Sequence, residues 1–290
     1  METYKIGQNC IIAESAKIGE NTVIGHNVII EENVSIGKNS KIESNTIIKK
    51  NVTIGEGSFI GANCILGEGT CRDGENLLEI GKSALIRSGS ILYTGSKIGD
   101  NFQTGHHVTI REKAEIGNCV SAGTLSDIQG NCKIGDYVRM HSNVHIGQLS
   151  VVDSFVWIFP YVVLTNDPTP PSDNFVGVHI RSFAIVATGA ILMPGVDIAQ
   201  DSLVAAGAIV TKDVERYSVV AGNPGKVISD VRKIKSKFTG EHVYPWRNHF
   251  KTYMPWEESD FQTWYAGLEL EDKKHYHLDW IDTEEDAEIG

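Results

Sequence analysis

Residues 16–37, AKIGENTVIGHNVIIEENVSIG, decide the fold. Ile18, Ile24, Ile30 and Ile36 stand six positions apart. Two positions ahead of each lies a small or β-branched side chain: Ala16, Thr22, Val28 and Val34. Asn21, Asn27 and Asn33 stand three ahead, and Gly19, Gly25 and Gly37 follow directly. Alternation within each hexad gives a very short strand with two inward residues. Asn and Gly supply the left-handed backbone that a corner between such strands needs.

Outward from this stretch the register continues. Isoleucine occupies every sixth position from Ile6 to Ile60, followed by Leu66; the ladder restarts at Ile80 and runs unshifted to Leu164. It resumes from Ile180 to Val210, and of 32 such positions only Thr104 and Ala122 are not Ile, Leu, Val or Met. Repetition at a fixed short period specifies a stacked solenoid, each repeat burying its apolar face on its neighbours.

This pattern is the hexapeptide repeat, and residues 5–228 resemble the left-handed parallel β-helix proteins. The resemblance implies an all-β fold with three hexads to each 18-residue coil. About ten coils would stack at ~4.8 Å, the parallel-strand spacing. The ladder is expected to span 1–228, with excursions at 67–79 and 165–179, followed by a helical or irregular tail at 229–290. Within that tail VISDVRKIKSKF (227–238) reads as a short amphipathic helix. The segment 244–270 is aromatic-rich and expected to pack against something, as four of five tryptophans lie in 246–280. The acidic end, DTEEDAEIG, is expected to be solvated.

A formal charge of −11 and a pI near 5.4 argue against nucleic acid or an anionic membrane as partner. No apolar run approaches a membrane span, and the N-terminus lacks a signal-type pattern, so a cytoplasmic protein is expected. The five cysteines form no CxxC pair. Cys10, Cys64 and Cys132 fill small-residue slots of the repeat, as reduced core residues would.

If residues 18 apart are stacked, Thr104 and Ala122 share a column. The corner beside it gathers His106, His107, Thr124, His141, Ser142, Asn143 and Tyr161. On the next strand Asp127 and His145 become adjacent rungs, close enough to interact. Beyond lie Arg111, Glu112 and Asn166, and Arg139 stands on the preceding strand. His107 and Asn143 sit in the corner slot that elsewhere holds Asn, so a purely structural role competes with ligand contact. The solenoid thus has one wall where polar groups from several coils converge.

The last block, VATGAILMPGVDIAQDSLVAAGAIVTKDVERYSVVAGNPGKVI (186–228), resembles the C-terminal module of hexapeptide acyltransferases, through GAIVTKDV and AGNPGK. The resemblance implies a homotrimer that binds acetyl-CoA or another acyl-CoA between subunits. It places the pantetheine arm at Gly189, Ala190, Ala206 and Gly207, and a phosphate at Lys226 and Arg232. KIGDNFQTGHHVTIRE, VRMHSNVHI, VVLTNDP and YPWRNHF resemble the nucleotide-sugar N-acyltransferases of surface-glycan synthesis. That likeness implies acyl transfer to the amine of a sugar nucleotide with no metal required. His106, His107, Arg111, Arg139, Asn143, Asn166 and Asp167 are then the substrate-binding candidates. Relatives acting on serine or simple sugars carry a catalytic His before the last block. Here TNDPTP offers Asn166 and Asp167 instead, which disfavours those acceptors.

Aminolysis of a thioester needs a neutral amine, a donor to the developing oxyanion and a destination for one proton. His145 oriented by Asp127 is the first candidate for that proton, followed by His141 and Glu112. Transfer without a protein base, the departing thiolate taking the proton, is a third route. Two rivals share the fold: an acyltransferase with another acceptor, and a zinc protein resembling the γ-class carbonic anhydrases, which would need three converging imidazoles.

Overall fold

The computed structural model describes residues 4–69 and 77–281. The chain forms a parallel β-solenoid whose three faces are sheets of 13, 11 and 10 short strands. The first face runs from Lys5–Ile6 through Gln103–Thr104, Ser121–Ala122, Arg139–Met140 and Trp157–Ile158 to Leu203–Val204. The second carries Thr109–Ile110, Asp127–Ile128, His145–Ile146 and Val163–Leu164, and the third carries Lys133–Ile134, Val151–Val152 and His179–Ile180.

Register follows the period of six. Thr104 pairs with Ala122, Asp127 with His145, and Arg139 with Trp157. The ladder residues fill the interior, Ile48, Ile60, Leu92 and Ile128 all being fully buried. The small residues two positions ahead, such as Thr22, Val28 and Thr46, are buried with them. Each such aliphatic contributes about 1.5–3 kcal/mol on burial. At the corners Asn21, Asn27, Asn33 and Asn45 have φ of 56–61°. Their amides link successive coils, as in Asn27 Nδ2 to Asn45 Oδ1 at 3.1 Å.

The excursions leave the stack without shifting it. Ile54 pairs with Ile80 and Val152 with Ile180, so the core register is the same on either side. The first excursion is shorter than 67–79, because Ile65–Glu68 and Leu78–Ile80 are strands. Its centre, 70–76, lies outside the described residues, as does the acidic end from 282 onward.

One expectation is corrected at the end of the solenoid. The stack itself runs slightly beyond the expected ten coils: the first face carries eleven parallel strands up to Leu203–Val204, the second eleven, and Ser218–Ala221 adds one more rung to the first. Residues 227–238 are not an amphipathic helix. Lys226–Asp230 is a strand antiparallel to Ser218–Ala221, and a single 3-10 turn follows at Val231–Lys233. The AGNPGK turn folds the chain back along an open sheet edge, whose unpaired backbone groups favour a strand over a helix. Val227 and Ile228, both β-branched, suit that strand and remain exposed.

The tail contributes two helices, Phe261–Ala266 and Leu270–His275, and binds the corner between the third and first faces. There Tyr137, Phe155 and Phe183 replace the corner Asn, at φ of 58–65°. They stack one above another, with centroids 5.3 and 5.2 Å apart. Trp246, Trp256 and Phe261 close on this column as a second apolar cluster. Arg247 is buried against Asp201 of the same corner, which also receives Arg216 at 3.3 Å.

Candidate functional site

The ladder defect at Thr104 marks the floor of a groove. In the regular coils a backbone N–H just past one rung donates to the carbonyl of the rung above, as Gly105 does to Ala122. At Arg87 the N–H donates instead to the Thr104 hydroxyl, at 2.8 Å. The freed Thr104 carbonyl accepts from the Arg87 guanidinium, and only Leu85 and Gln103 pair between these strands. A valine or isoleucine at 104 has no hydroxyl for this exchange. The polar rung thus turns Arg87 into the groove.

The groove holds about 450 Å³ and runs along five successive rungs of the first face, from that of Arg87 to that of Trp157. Arg87, Thr104, His106, Thr124, Arg139 and His141 line it, with Gln103, Ser121, Ser142 and Trp157. Tyr253 from the tail closes one side. A side chain at Gly123 would collide with the next coil, its Cβ falling 2.3 Å from the His141 carbonyl carbon. That corner slot therefore stays bare beneath His141.

Arg139 reaches the Tyr253 carbonyl at 3.3 Å and lies over its ring. Its Nε and the Trp157 Nε1, neighbours in one column, are buried and have no hydrogen-bond partner among the described residues. His141 stacks on Phe159, centroids 4.8 Å apart, and tilts against Trp157. Desolvation there pulls its pKa below the ordinary imidazole value. The imidazole is therefore neutral at pH 7 and able to accept a proton.

The other candidates divide. His145 Nδ1 lies 3.1 Å from Asp127 Oδ2, and Gln129 donates to the same oxygen at 2.6 Å. Burial pushes the Asp127 pKa up, but His145, Gln129 and Arg111 together bring it below the usual carboxylate value. This dyad stands on the second face and does not line the groove. Arg111 pairs with Glu112 at 2.9 Å and stacks on Tyr93, so these two charges engage each other. His107 and Asn143 take the left-handed corner conformation outside the groove, with the His107 ring packed over Gly89. Asp167 accepts from Thr169 N, Ser172 N and the Ser172 hydroxyl, which folds the second excursion onto itself. These bonds, the Ser172 hydroxyl first, hold its carboxyl below the ordinary pKa. The Asn166 carbonyl accepts from Val176 and closes the same loop.

Among the last coils, Gly189 and Gly207 have φ of 71° and 69°, and a Cβ on either would meet open space. Their N–H groups are engaged by Pro160 and Thr188 carbonyls. Ala206 is exposed, whereas Ala190 is a core residue. Lys226 is exposed on the terminal hairpin. Arg232 is held by Asp230 at 2.6 Å and lies over Tyr217.

Arg87, Trp157 and Tyr253 were not singled out in the sequence. Arg87 stands 18 residues before Gly105, so the column containing Gly105, Gly123 and His141 already contained it. Tyr253 carries no such signal, because its place depends on how the tail docks.

Residues 6–92 match the family model of the GMPPB C-terminal domain. A 2,3,4,5-tetrahydropyridine-2,6-dicarboxylate N-acetyltransferase of Staphylococcus aureus is 33% identical over 93 residues, 32% of this chain. The chain covers about a third of the length of that relative. A UDP-N-acetylglucosamine acyltransferase from Bacteroides fragilis is similar at 19% identity and a TM-score of 0.38, over 94% of this chain and 95% of its own. PerB from Caulobacter crescentus, solved with CoA and GDP-perosamine, is similar at 17% identity and a TM-score of 0.28, over 66% and 57%. No helix among the described residues is long and apolar enough to cross a membrane. By its repeat and its three-sided stack of strands, the chain is a hexapeptide-repeat parallel β-solenoid.

Proposed function

We propose that this protein is an acyl-CoA-dependent N-acyltransferase whose acceptor is the amino group of a nucleotide-linked sugar. One observation carries the reading: the groove over Thr104 and Ala122, lined by the guanidiniums of Arg87 and Arg139, three rungs apart, and by a desolvated His141. A sugar nucleotide offers phosphate for a guanidinium, hydroxyls for the polar corner residues and an amine for the imidazole. Support for N-acetyl transfer comes from the AGNPGK block and from the similarity to curated N-acetyltransferases over a third of the chain.

The residues present suit a thin donor arm. Gly189, Ala206 and Gly207 leave a corner without bulky side chains, and Lys226 stands free of an acidic partner among the described residues. Arg232 is less suited, because Asp230 already neutralises it. In the reaction the neutral amine attacks the thioester carbonyl, the C–N bond forms, and the C–S bond breaks to release CoA thiolate. The amine nitrogen gives up one proton, which His141 accepts. Because His141 lies in the groove and His145 does not, the proton acceptor we favour is His141, with the Asp127–His145 dyad second. Subunits assembled as a trimer in the cytoplasm complete this reading.

The test is thiol release from acetyl-CoA and longer acyl-CoAs in the presence of amino-sugar nucleotides. Release that requires both substrates, with an acetamido sugar nucleotide as product, is the expected result. Absence of release across UDP-, dTDP- and GDP-linked amino sugars would remove the proposal.

A further inference from the structure

Tyr253 combines an unfavourable backbone with a ring that the fold does not bury. The Met254 N–H donates to the Lys251 carbonyl at 3.0 Å, which closes a four-residue turn with Tyr253 in its third position. Tyr253 has a φ of 63°, the conformation for which such turns select Gly or Asn. A bulky side chain is strained there by contact of its Cβ with the backbone. Phe155 and Phe183 share the conformation at the solenoid corner, but their rings are fully buried, which offsets the strain. Tyr253 is 67% exposed, so burial gives no such compensation. Strain of this kind persists at ligand clamps, where the surrounding structure imposes it.

Two groups impose it here. Glu257 accepts from the Tyr253 N–H at 2.9 Å, and Met254, nearly fully buried, fixes the next residue in the aromatic cluster of the tail. The turn achieves a contact with Arg139. The guanidinium lies 5.1 Å from the Tyr253 ring centroid and donates to the Tyr253 carbonyl at 3.3 Å. Arg111, Arg181 and Arg232 each pair with a carboxylate, whereas no carboxylate among the described residues pairs with Arg139. A π face and a neutral carbonyl orient a cation without neutralising it, which leaves its charge for an anion. We propose that Tyr253 is a positioning residue of the groove, its strained turn holding the Arg139 guanidinium in place for a phosphate of the acceptor; the assignment rests on the reaction proposed above.

Three measurements on the full chain test it: kinetics with an amino-sugar nucleotide, isothermal titration of UDP, dTDP and GDP, and urea unfolding followed by tryptophan emission. Tyr253→Gly suits the turn and removes the ring. It should unfold at higher urea than Tyr253→Ala, which keeps the unfavourable φ. Both variants should nevertheless raise acceptor KM and nucleotide Kd about tenfold, with kcat held within about threefold and KM for acetyl-CoA unchanged. Tyr253→Phe keeps the π face and should restore both constants. Glu257→Ala should raise KM alike, and adding it to Tyr253→Gly should raise KM no further. Unchanged KM and Kd in Tyr253→Gly would overturn the proposal, as would a failure of the unmodified protein to bind any of the three nucleotides. So would a lower urea midpoint for Tyr253→Gly than for Tyr253→Ala, or additive effects of the Tyr253 and Glu257 substitutions. Affinity and urea midpoint are read without turnover, so absence of thiol release would remove the transfer reaction while these two measurements still decide the role of Tyr253.

Discussion

At the scale of single residues, Thr104 and His141 carry the most specific consequences. Thr104 is 1% exposed, and its hydroxyl is the acceptor for the Arg87 N–H. Thr104→Val should let the Arg87 N–H return to the residue-104 carbonyl as in the regular coils, so stability should change by no more than about 1 kcal/mol while the displaced Arg87 guanidinium raises KM for the acceptor. The urea midpoint and KM measure the two effects, and Thr104→Ser should restore KM. His141 has a pKa below its ordinary value of ~6.5 because the rings around it remove water. The unfolded chain therefore binds the proton more readily than the folded one. Its contribution to stability is complete above pH ~6.5 and is lost as pH falls toward the folded value. If His141 accepts the proton of the amine, kcat should fall on the acid side of the same range. His141→Ala should cost about 10²–10⁴ in kcat, and His145→Ala far less. A pH–rate profile on both variants decides between them, and the reverse ranking would transfer the role to the Asp127–His145 dyad.

At the scale of elements, the tail is held by one corner of the solenoid. Phe155 and Phe183 project from left-handed corner positions into Trp246, Trp256 and Phe261. Arg247 anchors the same element, with its side chain 8% exposed and that of Asp201 fully buried. Arg247→Ala leaves a carboxylate buried with less of its counter-charge, which should cost about 3–5 kcal/mol. Release of the tail would be read as faster proteolysis within 240–281 and as a red shift of tryptophan emission. Because Tyr253 closes the groove and receives Arg139, the variant should also raise KM for the acceptor. Unchanged proteolysis and unchanged KM would show that the tail is held by its rings alone.

At the scale of the whole molecule, stability is a sum over stacked coils, each resting on its neighbours. The second excursion interrupts the chain but not this stack, since Val152 and Ile180 pair across it as other rungs do. Deleting residues 167–176 returns those two rungs to the ordinary 18-residue separation and removes the loop that Asp167 folds. The fold should survive with a change of about 1 kcal/mol in stability, the scale set by loop closure. Circular dichroism and a urea titration check this. Loss of the cooperative transition would show that the excursion is part of the stack.

The period of six, read from residues such as Ile18, Ile24 and Ile30, determined the three-sided stack and which side chains fill it. It also determined the columns that join Thr104 to Ala122 and Asp127 to His145, because a rigid repeat converts sequence separation directly into height. The columns also set His145 on the strand after the corner of His141, with Arg139 on the strand before it. Only the folded molecule showed that the groove opens over the first face, with Arg139 and His141, and leaves His145 outside it. Arg87 was legible in its column, but its turn into the groove depends on a hydrogen bond made by Thr104. Trp246, Phe250 and Tyr253 were legible only as part of an aromatic-rich segment expected to pack against something, and not in their places, for the tail has no repeat and its position follows from tertiary packing against Phe155 and Phe183. Residues 227–238 were misread for a related reason: local amphipathicity favoured a helix, and an open sheet edge, visible only in three dimensions, captured the chain as a strand.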